Sequence, residues 1–388
     1  MKQVALGECC EVLGGGTPKT AEPSYWDGHI PWVTPKDLSD LGSRYIDKTA
    51  RNITDSGLDH SGARVLPAGS VLLSSRAPIG LVAMNSVPMA TNQGFKSLVP
   101  DPAQVDASYL AWWLQTHTAH LQAMGNGATF KEVSKSVVAR LQIPLPDLGE
   151  QRRIAQGLDA ADTLRAKRRR AVEAASALTE SIFHERFGAL RENPRRLPVA
   201  RLSDLCRRIT DGTHQSPDWA TSGHPFLFVK NIISGEIEFQ TEKFISDETQ
   251  RELTRRCPIE VGDVLYSTVG SYGVPAIVRT RRTFAFQRHI AHLKPDPASV
   301  HPEYLRAALA SPDARAQADR VARGVAQKTL NLGEIERFSL LAPSLADQRA
   351  FAQDAEAAER VKATEATHLA HLDALFASLQ YRAFASEL

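Results

Sequence analysis

The amino-acid sequence repeats itself, and this repeat limits the architectures open to the chain. At an offset of 197 residues, positions 127–156 of the first half align without a gap with the second half. The shared positions are Gly127/Gly324, Lys131/Lys328, Arg140/Arg337, Pro146/Pro343, Leu148/Leu345, Gln151/Gln348, Arg152/Arg349, Ala155/Ala352 and Gln156/Gln353. Further upstream the alignment shifts by a few residues, as loop insertions would cause. A period of about 196 residues is much longer than a solenoid unit, so each copy is expected to be a domain with an appendage.

Each copy divides into two parts by composition. Residues 1–146 contain short apolar runs between Gly, Pro and Thr turn signals, and these runs predict short strands with one helix near Tyr109–Gln122. Residues 148–187 contain no Pro and carry Ala, Leu, Arg and Glu at helical spacing, which predicts a long helix. The fold class is therefore α+β, with two mixed α/β domains that are each followed by a long helix.

Capping signals set the domain boundaries. Asp147 followed by Glu150, and Ser344 followed by Asp347, predict helix starts, whereas Gly188 predicts a helix end. The predicted order is domain 1 at 1–146, helix 1 at 147–188, a linker with domain 2 at 189–343, and helix 2 at 344–388.

The two long helices are predicted to pack on each other as an antiparallel coiled coil with pseudo-two-fold symmetry, because neither can bury its apolar stripe alone. Arg168 and Glu365 are repeat-equivalent and near mid-helix, so the hypothesis pairs them across the axis. The packing candidates are Ile154, Leu164, Arg168, Leu178 and Ile182 in helix 1, and Phe351, Val361, Glu365, Leu372 and Leu379 in helix 2.

Several segments resemble the specificity subunits of Type I restriction-modification systems. The segment Gln142-Ile-Pro-Leu-Pro-Asp-Leu-Gly-Glu-Gln-Arg-Arg-Ile154 and its counterpart Leu341–Phe351 resemble the entry into that family's central helix. Leu13-Gly-Gly-Gly-Thr-Pro18 followed by His29–Leu38 is similar to the start of its target-recognition domain, and Ile209–His214 with Pro225–Ile232 echoes it. The resemblance covers the whole chain in the family's order.

This resemblance implies a non-catalytic subunit that reads a bipartite, asymmetric site in double-stranded DNA. Each domain would bind one half-site, and the helices would set the spacing. The helices would also hold two adenine-N6 methyltransferase subunits, and restriction subunits of the translocase-nuclease type could join them. S-adenosylmethionine, ATP and Mg²⁺ are then expected on the partner subunits and not on this chain.

Charge and composition bear on the other classes of protein. The chain has 46 Lys and Arg against 44 Asp and Glu, so no global field indicates a nucleic-acid or membrane partner. No long apolar run is present, and we expect a cytoplasmic protein without membrane contact. Four cysteines show no C-x-x-C spacing, and neither a phosphate-binding loop nor an amino-methyltransferase motif occurs.

DNA reading needs polar side chains on loops, together with basic groups for phosphates. Lys36 and Lys230 are repeat-equivalent, with a structural salt bridge as the alternative role. Gln93 and Gln287 are aligned as adenine-reading amides, with turn stabilisation as the alternative. The full set of DNA-binding candidates is Lys36, Arg76, Gln93 and Lys131 in copy one, and Lys230, Asn231, Gln287, Arg288, Gln327 and Lys328 in copy two.

Two alternative functions remain open at this point. One is a coiled-coil scaffold that binds proteins and not DNA. The other is an enzyme with an unrecognised site, which would require a pocket of converging residues with shifted pKa values. No such pocket can be identified from the sequence.

Overall fold

The computed structural model of the chain describes residues 2–126, 131–324 and 327–384, and these residues form two compact units. Unit 1 runs from the start of the chain to Arg168 and also includes the residues from His368 onwards, whereas unit 2 comprises Arg169–Thr367. Each long helix therefore contributes to both units.

Strands and helices follow corresponding orders in the two units, and unit 1 has one additional short strand. The strands are β1 Lys2–Ala5, β2 Cys10–Gly14, β3 Trp26–Val33, β4 Tyr45–Ile46, β5 Asn52–Ile53, β6 Val71–Ser75, β7 Ile79–Asn85, β8 Ala90–Thr91, β9 Lys96–Pro100, β10 Gln142–Leu145, β11 Val199–Arg201, β12 Cys206–Asp211, β13 His224–Leu227, β14 Phe244–Ile245, β15 Val264–Ser267, β16 Pro275–Ile277, β17 Ala285–Phe286, β18 Ile290–Pro295 and β19 Ser339–Leu341. The helices are α1 Leu6–Cys9, α2 Pro35–Ser39, α3 Asp55–Asp59, α4 Ala107–Thr116, α5 Thr118–Met124, α6 Lys135–Arg140, α7 Leu148–Phe187, α8 Leu202–Leu205, α9 Asp247–Thr254, α10 Pro302–Ala310, α11 Pro312–Val321, α12 Leu332–Ile335 and α13 Leu345–Phe384, with 3-10 turns at Pro23–Tyr25 and Val229–Asn231.

The sheets of the two units have corresponding strand orders. Unit 1 contains β2-β9-β6-β7-β4, β5-β3-β8 and β1-β10, and unit 2 contains β12-β18-β15-β16, β14-β13-β17 and β11-β19. In each unit the three-stranded sheet includes one parallel pair, β3 with β8 and β13 with β17. This correspondence confirms the predicted duplication and the mixed α/β class of each domain.

Both long helices begin where the capping signals predict, and α7 also ends there; the predicted end of helix 2 at residue 388 lies outside the described residues. In α7 the Asp147 carboxylate accepts a hydrogen bond from Glu150 N at 2.9 Å, and in α13 the Ser344 hydroxyl accepts one from Asp347 N at 3.2 Å. Gly188 follows α7 with a φ of +73°, the left-handed conformation that favours glycine. The single helix predicted near Tyr109–Gln122 is instead two helices, α4 and α5, separated at His117.

The long helices pack against each other in antiparallel order within each unit. In unit 1, Arg165 of α7 donates a 2.6 Å hydrogen bond to Asp373 of α13 and lies over the Phe376 ring. In unit 2, Phe183 of α7 makes an edge-to-face contact with Phe351 of α13. Later residues of α7 thus meet earlier residues of α13.

Three of the packing candidates are exposed, which corrects the predicted helix stripe. Leu164, Leu178 and Val361 are 53%, 40% and 50% exposed. Each lies three residues after a small residue of the stripe, and the residue four positions after it is less exposed, half-buried at Arg165 and Lys362 and buried at Thr179. Thr179, for example, is 8% exposed beside Leu178. Successive residues turn by about 100°, so positions +3 and +4 fall on opposite sides of the stripe.

The other packing candidates occupy different environments. Ile154 and Phe351 are buried in the cores of units 1 and 2, respectively. Leu379 and Ile182 are half-buried against the same two cores, and Leu372 is also half-buried. Arg168 belongs to unit 1 and Glu365 to unit 2, so their pairing stays a prediction.

A buried glutamine joins each long helix to the domain before it. Gln151 accepts a hydrogen bond from Asp106 N at 2.8 Å and donates to the carbonyls of Gln104 and Pro146. Gln348 repeats this pattern with His301 N at 2.8 Å and the carbonyls of Ser299 and Pro343. Each amide therefore satisfies three backbone groups, which would be costly to leave unpaired in the interior.

A buried tyrosine repeats in the same way. The Tyr109 hydroxyl donates to Pro144 O, and the Tyr304 hydroxyl donates to Leu341 O, each at 2.7 Å. These bonds hold α4 and α10 against the strand that precedes each long helix. Across the described ranges, no helix is long and apolar enough to cross a bilayer.

Candidate nucleic-acid interface

Four loops converge at one edge of unit 1. Lys36 is in α2, directly after β3, and Gln93 follows β8, the strand that pairs in parallel with β3. Arg76 follows β6, and Lys131 precedes α6. Because parallel strands end at the same side of a sheet, the two loops after β3 and β8 emerge together. We call these four residues the polar edge of unit 1.

Direct contacts link these loops. Ser75 N donates to Gly94 O at 2.7 Å, and Val133 N donates to Ser75 O at 3.0 Å, which joins the loops that carry Gln93, Arg76 and Lys131. A Cβ atom at Gly94 would lie 3.5 Å from Pro35 Cγ and 3.6 Å from Arg76 Cγ, so Lys36's loop is adjacent. Lys36, Gln93 and Lys131 are exposed, and Arg76 is half-buried.

A carboxylate organises the charges at this edge. Glu132 pairs with Lys96 at 2.8 Å and with Arg76 at 3.8 Å. The hydrogen bond from Lys96 holds the pKa of Glu132 below its ordinary value, and the nearby Arg76 charge adds to this effect. Glu132 is therefore ionised at neutral pH and orients both cations.

Unit 2 builds the corresponding edge from corresponding loops. Lys230 lies in the turn after β13, Gln287 and Arg288 follow β17, and Gln327 and Lys328 precede α12. We call these five residues the polar edge of unit 2. Lys230, Arg288, Gln327 and Lys328 are exposed, and Gln287 is half-buried.

The same backbone hydrogen bonds hold the loops of unit 2 together. Gln287 N donates to Leu227 O at 3.2 Å, and Thr268 N donates to His289 O at 3.0 Å. Leu330 N donates to Thr268 O at 2.8 Å, and Gly270 N donates to Lys328 O at 3.0 Å. Burial and the charges of Arg288 and His214 hold the pKa of His289 below its ordinary value, so His289 is neutral beside this edge at pH 7.

These hydrogen bonds revise the residue pairing between the two edges. Asn92 N donates to Val33 O as Gln287 N does to Leu227 O, so Asn92 is the equivalent of Gln287. Gln93 is consequently equivalent to Arg288. The sequence alignment had paired Gln93 with Gln287 instead. The alignment missed a one-residue difference in loop length. Lys36/Lys230 and Lys131/Lys328 remain equivalent pairs, and Arg76 corresponds to Val269.

Asn231 belongs to the framework and not to the polar edge. Its side chain is buried, accepts a hydrogen bond from Phe228 N and donates two to the carbonyls of Glu238 and Gln240. Its equivalent, Asp37, accepts from Thr34 N and Ala50 N. An amide whose groups are all used internally cannot read a base, so the prediction of Asn231 as a DNA contact is wrong.

Other residues at these edges were missed by the sequence analysis. Thr17 hydrogen-bonds to Gln93 and orients its amide. Trp219 is 42% exposed, and the Lys243 ammonium lies 4.9 Å from its ring centroid. An exposed tryptophan in a polar segment, Pro217-Asp-Trp-Ala220, is the sequence signal that could have identified a stacking surface.

The two edges offer the chemistry of nucleic-acid binding. Exposed lysines provide mobile cations for phosphates, whereas Gln93, Arg76 and Arg288 carry side chains that can pair with base edges. Within the described ranges, no three His, Cys, Asp or Glu side chains are grouped to hold a metal ion. The edges therefore suit recognition of a polyanion.

Comparison with known proteins identifies this architecture. The tandem domains on long helices have the fold of Type I restriction-modification S subunits. The S subunit from M. genitalium aligns over 99% of this chain and 96% of its own, with 13% identity and a TM-score of 0.58. A structure described as the basis of complex assembly and conformational transition of the Type I system aligns over 100% and 98%, with 21% identity and a TM-score of 0.61.

Sequence similarity points to the same group of proteins. Residues 1–174 match the family model of the Type I restriction modification DNA specificity domain. The MjaIX specificity subunit of Methanocaldococcus jannaschii is 32% identical over 257 residues, which covers 61% of this chain and 59% of that protein. The EcoR124I/EcoR124II specificity subunit of Escherichia coli is 30% identical over 166 residues, which covers 41% and 40%. Residues 1–174 are thus similar to the DNA specificity domain of Type I restriction enzyme specificity subunits, and the matched segments span less than two thirds of either relative.

Proposed function

We propose that this chain is the sequence-reading subunit of a Type I restriction-modification complex. Each unit binds one half of a bipartite, asymmetric site in double-stranded DNA through its polar edge. The chain itself is non-catalytic. Methyl transfer belongs to two adenine-N6 methyltransferase subunits, and cleavage belongs to restriction subunits in complexes that contain them.

The pattern of constant and changed residues at the two polar edges carries this proposal. The equivalent pairs Lys36/Lys230 and Lys131/Lys328 keep a lysine. Contacts to phosphate are needed whatever the DNA sequence, so this residue type can stay the same in both units. The pair Gln93/Arg288 changes from an amide, which suits adenine N6 and N7, to a guanidinium, which suits guanine O6 and N7. The pair Arg76/Val269 changes from a cation to an apolar group. Two readers with a shared framework and different base-directed groups suit an asymmetric site.

The long helices suit a spacer role. Helices α7 and α13 have 40 residues each, which corresponds to about 60 Å at 1.5 Å per residue. Their outward faces, which include Leu164, Leu178 and Val361, offer apolar side chains for docking the methyltransferase subunits. S-adenosylmethionine, ATP and Mg²⁺ are then bound by the partner subunits.

The direct test is methylome sequencing of cells that express this chain together with its neighbouring methyltransferase. We expect a bipartite N6-methyladenine motif. Arg288→Gln should change one half of that motif and leave the other half intact, and Gln93→Ala should do the converse. Arg337→Gln, a change at an exposed arginine after α12, is the control and should leave the motif intact.

Two outcomes would overturn the proposal. One is an unchanged motif after deletion of residues 200–343, because that deletion removes the second reader. The other is equal, sequence-independent binding by the wild-type complex and the Arg288→Gln complex across salt concentrations, which would favour the protein scaffold.

A further inference from the structure

A buried charged cluster in unit 2 takes no part in the polar edge. His292 lies between two partners: its Nε2 is 2.6 Å from Asp263 Oδ2, and its Nδ1 is 3.4 Å from Cys257 Sγ. Lys294 Nζ donates to the same Asp263 oxygen at 2.9 Å and also pairs with Glu260 at 2.9 Å. His292 and Asp263 are 1% and 3% exposed, so the packing fixes this arrangement.

Cys257 is the accessible end of the cluster. The residue is half-exposed and lines a cavity of about 430 Å³ together with Arg208, Arg255 and Arg256. Arg208 Nη1 donates to Arg256 O at 2.7 Å, which fixes one guanidinium at the wall. The acidic residues in the lining are Glu252 and Asp211, so the three arginines outnumber them. The surroundings of the thiol therefore favour a small anionic ligand.

The electrostatics favour an ionised thiol. Burial opposes ionisation of Cys257, but the hydrogen bond and charge of His292, with Lys294 and Arg208, hold its pKa below the ordinary value. Burial likewise opposes protonation of His292, and the hydrogen bonds with Asp263 and Cys257 raise its pKa. Thiolate and imidazolium stabilise each other, as in reactive cysteines generally.

The other cysteines lack this environment. Burial raises the pKa of Cys206 to about 12, and Cys9 and Cys10 are buried in unit 1. The strand registers place Ser70 and Ser97 of unit 1 at the positions of Asp263 and His292. The cluster therefore belongs to the second copy alone among these equivalent positions.

We propose that Cys257 is a thiol-modification site that exchanges with small anionic disulfides of the glutathione class. The Cys257 sulfur attacks one sulfur of the disulfide, so a new S–S bond forms as the old one breaks. Cys257 is oxidised to the mixed disulfide, and the leaving sulfur is reduced. The proton of the Cys257 thiol passes to His292 and then to the leaving thiolate, which departs as a thiol.

The cavity wall links this site to the polar edge of unit 2. The wall includes Thr213, whose carbonyl accepts a hydrogen bond from Arg288 N at 3.0 Å. An anionic adduct in the cavity would place negative charge beside Arg288 and weaken DNA binding by this half. This consequence rests on the proposed function, whereas the reactivity of Cys257 does not.

The test uses the full chain in complex with its methyltransferase subunits and oxidised glutathione as the probe. Mass spectrometry should find Cys257 modified about tenfold or more faster than Cys206 at pH 7, because a lowered pKa supplies more thiolate. Cys257→Ser should abolish that adduct. The double change Arg255→Gln with Arg256→Gln should slow the reaction with oxidised glutathione but not with neutral hydroxyethyl disulfide, and Arg337→Gln should alter neither.

The role of His292 has a separate readout. His292→Asn should move the pH dependence of Cys257 modification towards that of an ordinary thiol, with folding checked by circular dichroism. If His292→Asn does not fold, the arginine variants still decide the proposal through the ratio of rates for the two disulfides. The proposal fails if Cys257 reacts no faster than Cys206, or if that ratio is unchanged in the arginine variants. Reactivity without any change in DNA binding would leave the site in place and remove only its link to recognition.

Discussion

Units 1 and 2 share their framework hydrogen bonds and differ in the chemistry that faces solvent. Gln151 and Gln348 make the same three kinds of bond, and Tyr109 and Tyr304 make the same one. Buried polar groups must be satisfied, so these positions retain their residue types. At the polar edges water can satisfy any side chain, and Gln93 and Arg288 can therefore differ without cost to the fold.

The buried ion pairs near the junction between domain and long helix also differ between the two units. In unit 1, Arg44 lies over the Trp112 ring and pairs with Asp159 of α7, which also accepts from Trp112 Nε1 at 2.9 Å. In unit 2, Glu303 is buried and pairs with Arg279 and Arg306. Repeat copies can thus keep one topology while they exchange one buried ion cluster for another.

The largest expected effect concerns the aromatic core of unit 2. Phe351→Ala should lower the free energy of unfolding by about 4 kcal/mol, because Phe351 is fully buried among Phe183, Phe187 and Tyr304. Val361→Ala on the same helix is the control and should change stability by about 0.5 kcal/mol or less, since Val361 is exposed. Urea denaturation followed by circular dichroism measures both. Equal losses of stability in the two variants would indicate that Val361 also packs in the apolar stripe.

The glutamine pair tests whether the two frameworks are equivalent. Gln348→Ala and Gln151→Ala should each lower stability by about 3 kcal/mol, because each leaves buried backbone groups unpaired. Gln353→Ala and Gln156→Ala change exposed glutamines at later, equivalent positions in the same helices and should be nearly neutral. A large loss at only one of the two buried positions would break the equivalence of the units.

For the ion cluster of unit 1, in contrast, substitutions at equivalent positions of the two long helices should have unequal effects on stability. Asp159→Ala leaves the Arg44 guanidinium, which is 10% exposed, without its carboxylate and should cost about 2 kcal/mol. Glu356→Ala at the repeat-equivalent, exposed position of α13 should cost about 0.5 kcal/mol or less. Thermal unfolding of the two variants compares them directly, and similar shifts in Tm would argue against a cluster specific to unit 1.

The smallest expected effect separates phosphate contacts from base contacts. Lys131→Ala and Lys328→Ala should each weaken DNA binding by about 1 kcal/mol for every sequence and lower the salt dependence of log Kd by about one. Fluorescence anisotropy at several salt concentrations measures this effect in the assembled complex. A loss restricted to one sequence would instead identify the lysine as a base contact.

Sequence reasoning predicted the elements with strong local signals. The repeat, the bounds of α7 and the capping residues Asp147 and Ser344 follow from period and local chemistry. It failed where three-dimensional packing decides. The sequence pattern does not show whether the residue three or four positions after Ala175 is buried. Leu178 was therefore placed in the stripe instead of Thr179.

The errors at the polar edges have similar causes. Loop lengths before residue 127 differ between the copies, so the alignment shifted Gln93 by one residue. Asn231 is polar and adjacent to Lys230, and only the structure shows that its amide is used by Phe228, Glu238 and Gln240. The cluster at Cys257 joins residues from positions 257, 263 and 292, and no local motif connects them.

The division of α13 between the units bears on biosynthesis. The last part of this helix completes unit 1, where Phe376 contacts Trp112 and Phe384 contacts Tyr109. During translation the first part of unit 1 therefore emerges before unit 2 but lacks part of its core until residues 368–384 have been synthesised. Unit 2 has all its residues before then. A nascent chain, or one terminated before these residues, would thus expose Tyr109 and Trp112 to chaperones and proteases, which makes residues 368–384 a checkpoint for the folding of unit 1.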